Sequence, residues 1–146
     1  DKRIREWCFG SFDGAYDGDL FMGLIPRIFN VDHVHQLSYA ELAEGLVEVD
    51  TAGWAEGWEK LSGRIKEGFE AIAKEMEEQG GGNALVVSHG MTIGTIVYLI
   101  NGMHPHGLDN GSVTILEYED GQFSVEVVGD RSYRELGRKK MEEPSI

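Results

Sequence analysis

Four apolar residues, Ala84-Leu85-Val86-Val87, lead without interruption into Ser88-His89-Gly90, and the stretch from Met91 to Ile100 that follows is apolar nearly all round. The short run suits a strand buried on both faces, as in a parallel sheet. The longer run, with Gly94 for close packing and Asn101-Gly102 to stop it, suits a buried helix. Strand, polar tripeptide and helix make half of a βαβ unit, which points to the α/β class.

Upstream, Trp54, Trp58, Leu61, Ile65, Phe69, Ile72 and Met76 recur at gaps of three and four, the stripe of an amphipathic helix. Asp50 or Thr51 is positioned to cap its start, Gly80-Gly81-Gly82 ends it, and Glu56, Lys60, Arg64, Glu67, Lys74 and Glu78 occupy the other, solvent-facing side. A shorter helix begins at Ser38 with Glu41 at the capping-box spacing and carries Leu42 and Leu46 on one face. Downstream, Val113 to Tyr118 and Phe123 to Val128 flank Asp120-Gly121, a strong hairpin signal. The segment from Arg131 to Ile146 is polar and is expected to fray or lie on the surface. One buried strand plus one hairpin is too little sheet for a parallel unit and for so apolar a helix, so sheet is expected to be missing.

The 146 residues suit one domain, and 41% hydrophobic with 27% charged residues excludes a disordered acidic tail. With 26 acidic against 13 basic side chains the net charge is -13, which disfavours nucleic acid and anionic membranes as partners. The lone cysteine, Cys8, closes no internal disulfide, and no signal-peptide or membrane-length apolar run is present, so a reducing cytoplasm is the expected compartment.

Polar groups at the carboxyl end of a parallel strand face the crevice where α/β proteins bind ligands, which makes His89 the first site candidate. The amides of Gly90 and Met91 open the following helix and are placed to hold an anion such as phosphate. The opening stretch, Ile4-Arg5-Glu6-Trp7-Cys8-Phe9-Gly10-Ser11-Phe12-Asp13-Gly14, sets Glu6 among aromatics. Carboxyl groups in apolar surroundings serve as general acids. A turn-capping His89 and a surface Glu6 are the plainer alternatives.

Taken together, the two segments resemble the histidine phosphatase superfamily, which includes phosphoglycerate mutases and broad-specificity phosphatases. Ile4-x-Glu6-x-x-x-Gly10-x-Phe12-Asp13-Gly14 is similar to that family's Leu-x-Glu-x-x-x-Gly-x-Trp-Glu-Gly segment, with each change keeping chemical character. Val86-Val87-Ser88-His89-Gly90 resembles the strand delivering the family's second catalytic histidine, and Asn110-Gly111-Ser112-Val113 and Gly129-Asp130 match its closing pattern. The resemblance implies a three-layer α/β/α phosphoglycerate mutase-like fold, with residues 1–133 as the carboxyl-terminal part of the domain and 134–146 as a polar tail. It implies Glu6 as proton donor and acceptor, and His89 as stabiliser of the phosphoryl group in flight. The family's nucleophile is a histidine in an Arg-His-Gly motif. No Arg-His pair occurs in the sequence. The chain is therefore expected to lack the first part of the domain and to be inactive alone, its parent being a phosphatase or mutase working through phosphohistidine. A small phosphorylated substrate is the implied partner, with no metal or other cofactor; a homodimer is left open. The alternative from another class is a non-catalytic phosphate-ligand module with the same fold.

Weaker patterns remain. His33-x-His35 and His104-x-His106 have metal-compatible spacing without a further ligand set. Ser88 sits at an elbow-like position, but Val86 stands where the first glycine of Gly-x-Ser-x-Gly belongs. Phe21, Met22 and Ile25, around Pro26, are either lining for a leaving-group pocket or ordinary core.

Overall fold

The computed structural model describes residues 1–16, 18–105 and 107–142. A π-helical turn, Asp19–Leu24, runs into α1 (Ile25–Phe29); α2 (Tyr39–Val49), α3 (Trp58–Glu78) and α4 (Gly90–Asn101) follow; β1 (Val113–Glu119) and β2 (Gln122–Asp130) form an antiparallel hairpin; and α5 (Ser132–Glu142) closes the order. The core gathers Trp7 with Leu20 and Ile25, Leu42 and Leu46 of α2, Leu61, Ile65 and Phe69 of α3, and Ile96 of α4. Each such side chain removed from water stabilises the fold by about 1.5–3 kcal/mol.

Several elements form for the reasons written in their sequences. Ser38 accepts from the Glu41 amide at 3.2 Å while the Glu41 carboxylate accepts from the Ser38 amide at 2.8 Å, so the capping box of α2 is closed. At the hairpin, Asp120 (φ 50°) and Gly121 (φ 79°) both take the positive φ of a tight turn. Past Glu78, the Gly81 amide donates to the Met76 carbonyl at 2.8 Å and ends α3.

Two expectations are corrected. The long helix starts four residues later than its apolar stripe: Trp54 is exposed, and the first helical amide, that of Trp58, donates to the Glu44 carboxylate of α2 at 2.8 Å. Asp50 caps the preceding turn instead. Its two oxygens accept from the amides of Ser11, Ala52, Trp54 and Ala55 at 2.7–2.9 Å. Gly10 (φ 61°) has no side chain to spare there, since a Cβ would fall on the Asp50 carboxyl group. The second correction concerns Ala84 to Val87, which carries no regular secondary structure and is no strand. Among the described residues nothing pairs with it, and Leu85 and Val87 are 91% and 85% exposed. An apolar run becomes a buried strand only where neighbouring strands take its backbone groups and cover its faces. The segment after Arg131 lies on the surface as a helix: α5 buries none of its described residues. It is tied down by Arg131 and Arg134, both paired with Asp109.

Candidate active site

Glu6 reaches the amino terminus of α4. Its Oε1 accepts from the Trp7 amide at 3.0 Å and the Thr92 amide at 3.1 Å, and Oε2 accepts from the Met91 amide at 3.3 Å. The Thr92 hydroxyl lies 2.7 Å from the Arg5 carbonyl and 3.1 Å from Oε1, with one proton for the two acceptors. A helix start leaves its first amides without intrahelical partners, and a carboxylate is the favoured group there. Because His89, the residue at the cap position, makes no side-chain cap bond, the work falls to Glu6, more than eighty residues away.

His89 is exposed at this same helix end, in extended backbone (φ -121°, ψ 159°), with its carbonyl accepting from the Ile93 amide at 2.9 Å. Gly90 beside it is exposed, and a methyl group there would meet open space. The structure thus brings Glu6, His89, Gly90 and Met91 to one helix terminus. The Met91 amide, expected to face a phosphate, is bonded to Glu6 in this arrangement. Ser88 is no elbow nucleophile here, since its hydroxyl donates to the Ile4 carbonyl at 2.7 Å.

Behind Glu6, Trp7 is buried and its indole N–H donates to Thr95 Oγ1 at 3.0 Å, while its ring meets Tyr39 edge-on at 5.8 Å. The Tyr39 hydroxyl donates to the Pro105 carbonyl at 3.1 Å. Desolvation first, and the nearby Glu6 charge second, push the Tyr39 phenol up to about 12. Beside Met91 opens a cavity of about 220 Å³ with walls that include Phe21, Val34, Tyr39, Leu42 and Pro105. Of the three residues considered as its lining, Phe21 is there, Met22 is 83% exposed and Ile25 is fully buried in the core. His106 lies outside the described residues.

Sequence reasoning missed a further pair. Glu56 and Arg64, expected on the solvent face of the long helix, form an ion pair at 2.6 Å in which Glu56 is buried, only 2% exposed, and Arg64 is part-buried. Arg5 joins Glu56 at 2.7 Å. Desolvation alone would raise the Glu56 pKa, but hydrogen bonds and charge from Arg64 and Arg5 outweigh it and hold the carboxyl below its ordinary value. Their signal was weak, because an acid and an arginine off the apolar stripe look like any solvated pair.

The model of the histidine phosphatase superfamily (branch 1) matches residues 26–131, more than half of the chain. The chain belongs to the histidine phosphatase superfamily. His89, Gly90 and Met91 lie inside the span matched to this superfamily, and Glu6 lies before it. Among solved structures the chain is similar to a phosphoglycerate mutase from Bacillus anthracis str. Sterne, with 34% identity and a TM-score of 0.87 over 94% of this chain. That likeness establishes the α/β phosphoglycerate mutase-like fold. The chain spans 62% of the length of that mutase chain. No curated protein matches it. Among the described residues no helix is long and apolar enough to cross a membrane.

Proposed function

We propose that the protein containing this chain hydrolyses small phosphate monoesters through a phosphohistidine, with the nucleophilic histidine upstream of residue 1. The observation that carries the reading is the meeting of Glu6 and His89 at the amino terminus of α4. Phosphoryl transfer needs mainly positioning and stabilisation of charge; the amides of the helix terminus hold Glu6 in position, and the adjacent His89 imidazole is assigned the stabilisation of charge. In the first step the upstream histidine nitrogen bonds to phosphorus, the bond from phosphorus to the ester oxygen breaks, and a proton from the Glu6 carboxyl goes to the departing oxygen. In the second, water attacks phosphorus, its proton returns to Glu6, and the phosphorus–nitrogen bond breaks to release phosphate. His89 balances charge on the transferring group in both steps. Oε1 has two short amide contacts and Oε2 a single longer one, so Oε2 is the oxygen assigned to the proton.

The absence of an Arg-His pair from these 146 residues supports the upstream placement of the nucleophile. So does the exposure of Leu85 and Val87 on an unpaired segment. In the full-length protein, Glu6→Gln and His89→Ala are each expected to lower turnover of an alkyl phosphate by two orders of magnitude or more. An acid-labile, base-stable phosphate label should appear on an upstream histidine. Near wild-type rates in both variants would remove the assignment, and turnover by the 146-residue chain alone would remove the upstream nucleophile.

A mutase reading is favoured by the named activity of the structural relative. Supplying phosphoglycerate and measuring phosphate release against isomerisation separates the two readings.

A further inference from the structure

Four consecutive carbonyls lead into Glu6, and side chains from elsewhere in the fold hold every one. The Arg3 carbonyl accepts from Arg64 Nη1 at 2.8 Å and the Ile4 carbonyl from Ser88 Oγ at 2.7 Å. The Arg5 carbonyl accepts from Arg64 Nη1 at 3.0 Å and lies 2.7 Å from Thr92 Oγ1, and the Glu6 carbonyl accepts from Arg64 Nη2 at 3.0 Å. Residues 5–9 belong to no helix or strand, so these bonds, and no regular ladder, draw the course that brings the Glu6 carboxylate to α4. Arg64 contributes most. Its Nε and one Nη2 proton go to the Glu56 carboxylate at 2.6–3.1 Å and the other three N–H groups go to the carbonyls, so all five donors of the guanidinium are committed.

We infer that Arg64, oriented by buried Glu56, is a positioning residue for the proton transfer assigned to Glu6; the inference rests on that assignment. A planar fork of five donors can hold three carbonyls and a carboxylate at once, whereas a lysine offers three donors from one point. Without the fork, residues 3–6 lose three of the five bonds that hold their carbonyls, and proton transfer is sensitive to displacement on the order of 1 Å. Ser88 ties the residue before His89 to the same segment, so both site residues share one frame.

The test compares kcat/KM of the full-length protein on p-nitrophenyl phosphate, whose leaving group departs as a stable phenolate, and on glycerol 2-phosphate, whose alkoxide needs a proton. Arg64→Lys is expected to lower kcat/KM about 10- to 100-fold on the alkyl ester and no more than about threefold on the nitrophenyl ester. Glu6→Gln should show the same split, and adding Arg64→Lys to Glu6→Gln should cost little more. Equal losses on both esters, no loss, or a full additional loss in the double variant would overturn the inference. If circular dichroism and melting show that Arg64→Lys does not fold, Glu56→Gln, which keeps the size and shape of the side chain while loosening the grip on Arg64, carries the same comparison. A Glu6→Gln variant with no split defeats the assignment of Glu6 and the inference with it; a split in Glu6→Gln but not in the Arg64 and Glu56 variants defeats the inference alone.

Discussion

Desolvation first, and the nearby Glu6 charge second, push the Tyr39 phenol above the ordinary tyrosine value, and its hydroxyl donates to the Pro105 carbonyl. Its pKa is raised in the folded state, so its contribution to stability is complete below pH 10.0 and is lost as pH rises toward about 12. Ultraviolet titration should show one tyrosine that ionises only near the alkaline unfolding transition, and Tyr39→Phe should remove that late step. Asp50 behaves in the opposite sense. Desolvation would raise its pKa, but the amides of Ala55, Ser11, Ala52 and Trp54 hold the carboxyl well below the usual carboxylate range. The stability it contributes is present above about pH 4, the unfolded value, and falls away in more acidic solution. Asp50→Asn should lower Tm at pH 7, and the gap to wild type should narrow steadily below about pH 4; a gap independent of pH would count against the amide cluster. Glu6 and His89 were legible as residues because each carries a short local pattern. Asp50 and Glu56 were not, since Asp50 gathers a local turn of amides onto the distant Ser11 and Glu56 meets both Arg64 and the distant Arg5, and sequence spacing does not record which carboxylate meets which amide or guanidinium.

At the scale of the element, α4 is held from two sides. Glu6 occupies its first amides, and Thr92, Gly94, Thr95, Ile96 and Val97 are buried along it. At Gly94 two effects compete. Alanine is the better helix former by about 1 kcal/mol. A Cβ at that position, however, would overlap the Tyr39 hydroxyl, which is itself committed to the Pro105 carbonyl. Overpacking of this kind costs about 1–3 kcal/mol, so steric conflict wins. Gly94→Ala should lower stability in a urea melt, and Gly94→Ala with Tyr39→Phe should recover part of the loss. The identity of α2, α4 and the hairpin could be read locally, because capping box, apolar run and Asp-Gly turn are complete within each segment. The start of α3 could not, because Glu44 of α2 provides the partner for its first amide and the apolar stripe runs past that point to Trp54.

For the whole molecule, the two-stranded sheet and the exposed Leu85 and Val87 bear on the proposed upstream segment. Amides 84–87 in the 146-residue chain should exchange with solvent at rates close to those of an unstructured peptide. In the full-length protein they should be strongly protected, because a parallel ladder would then take their hydrogen bonds; equal exchange in both would remove the strand reading. By itself the sequence determined the class of the fold, the helices with local start and stop signals, and the two segments that carry Glu6 and His89. Periodicity, capping and turn chemistry act over a few residues, and that is the range over which a sequence can be read directly. Only the tertiary structure decided that Glu6 caps α4, that Arg64, paired with buried Glu56, holds the carbonyls of residues 3, 5 and 6, and that Ala84 to Val87 is unpaired. Each of these depends on groups dozens of residues apart meeting, and burial and pairing are properties of the meeting.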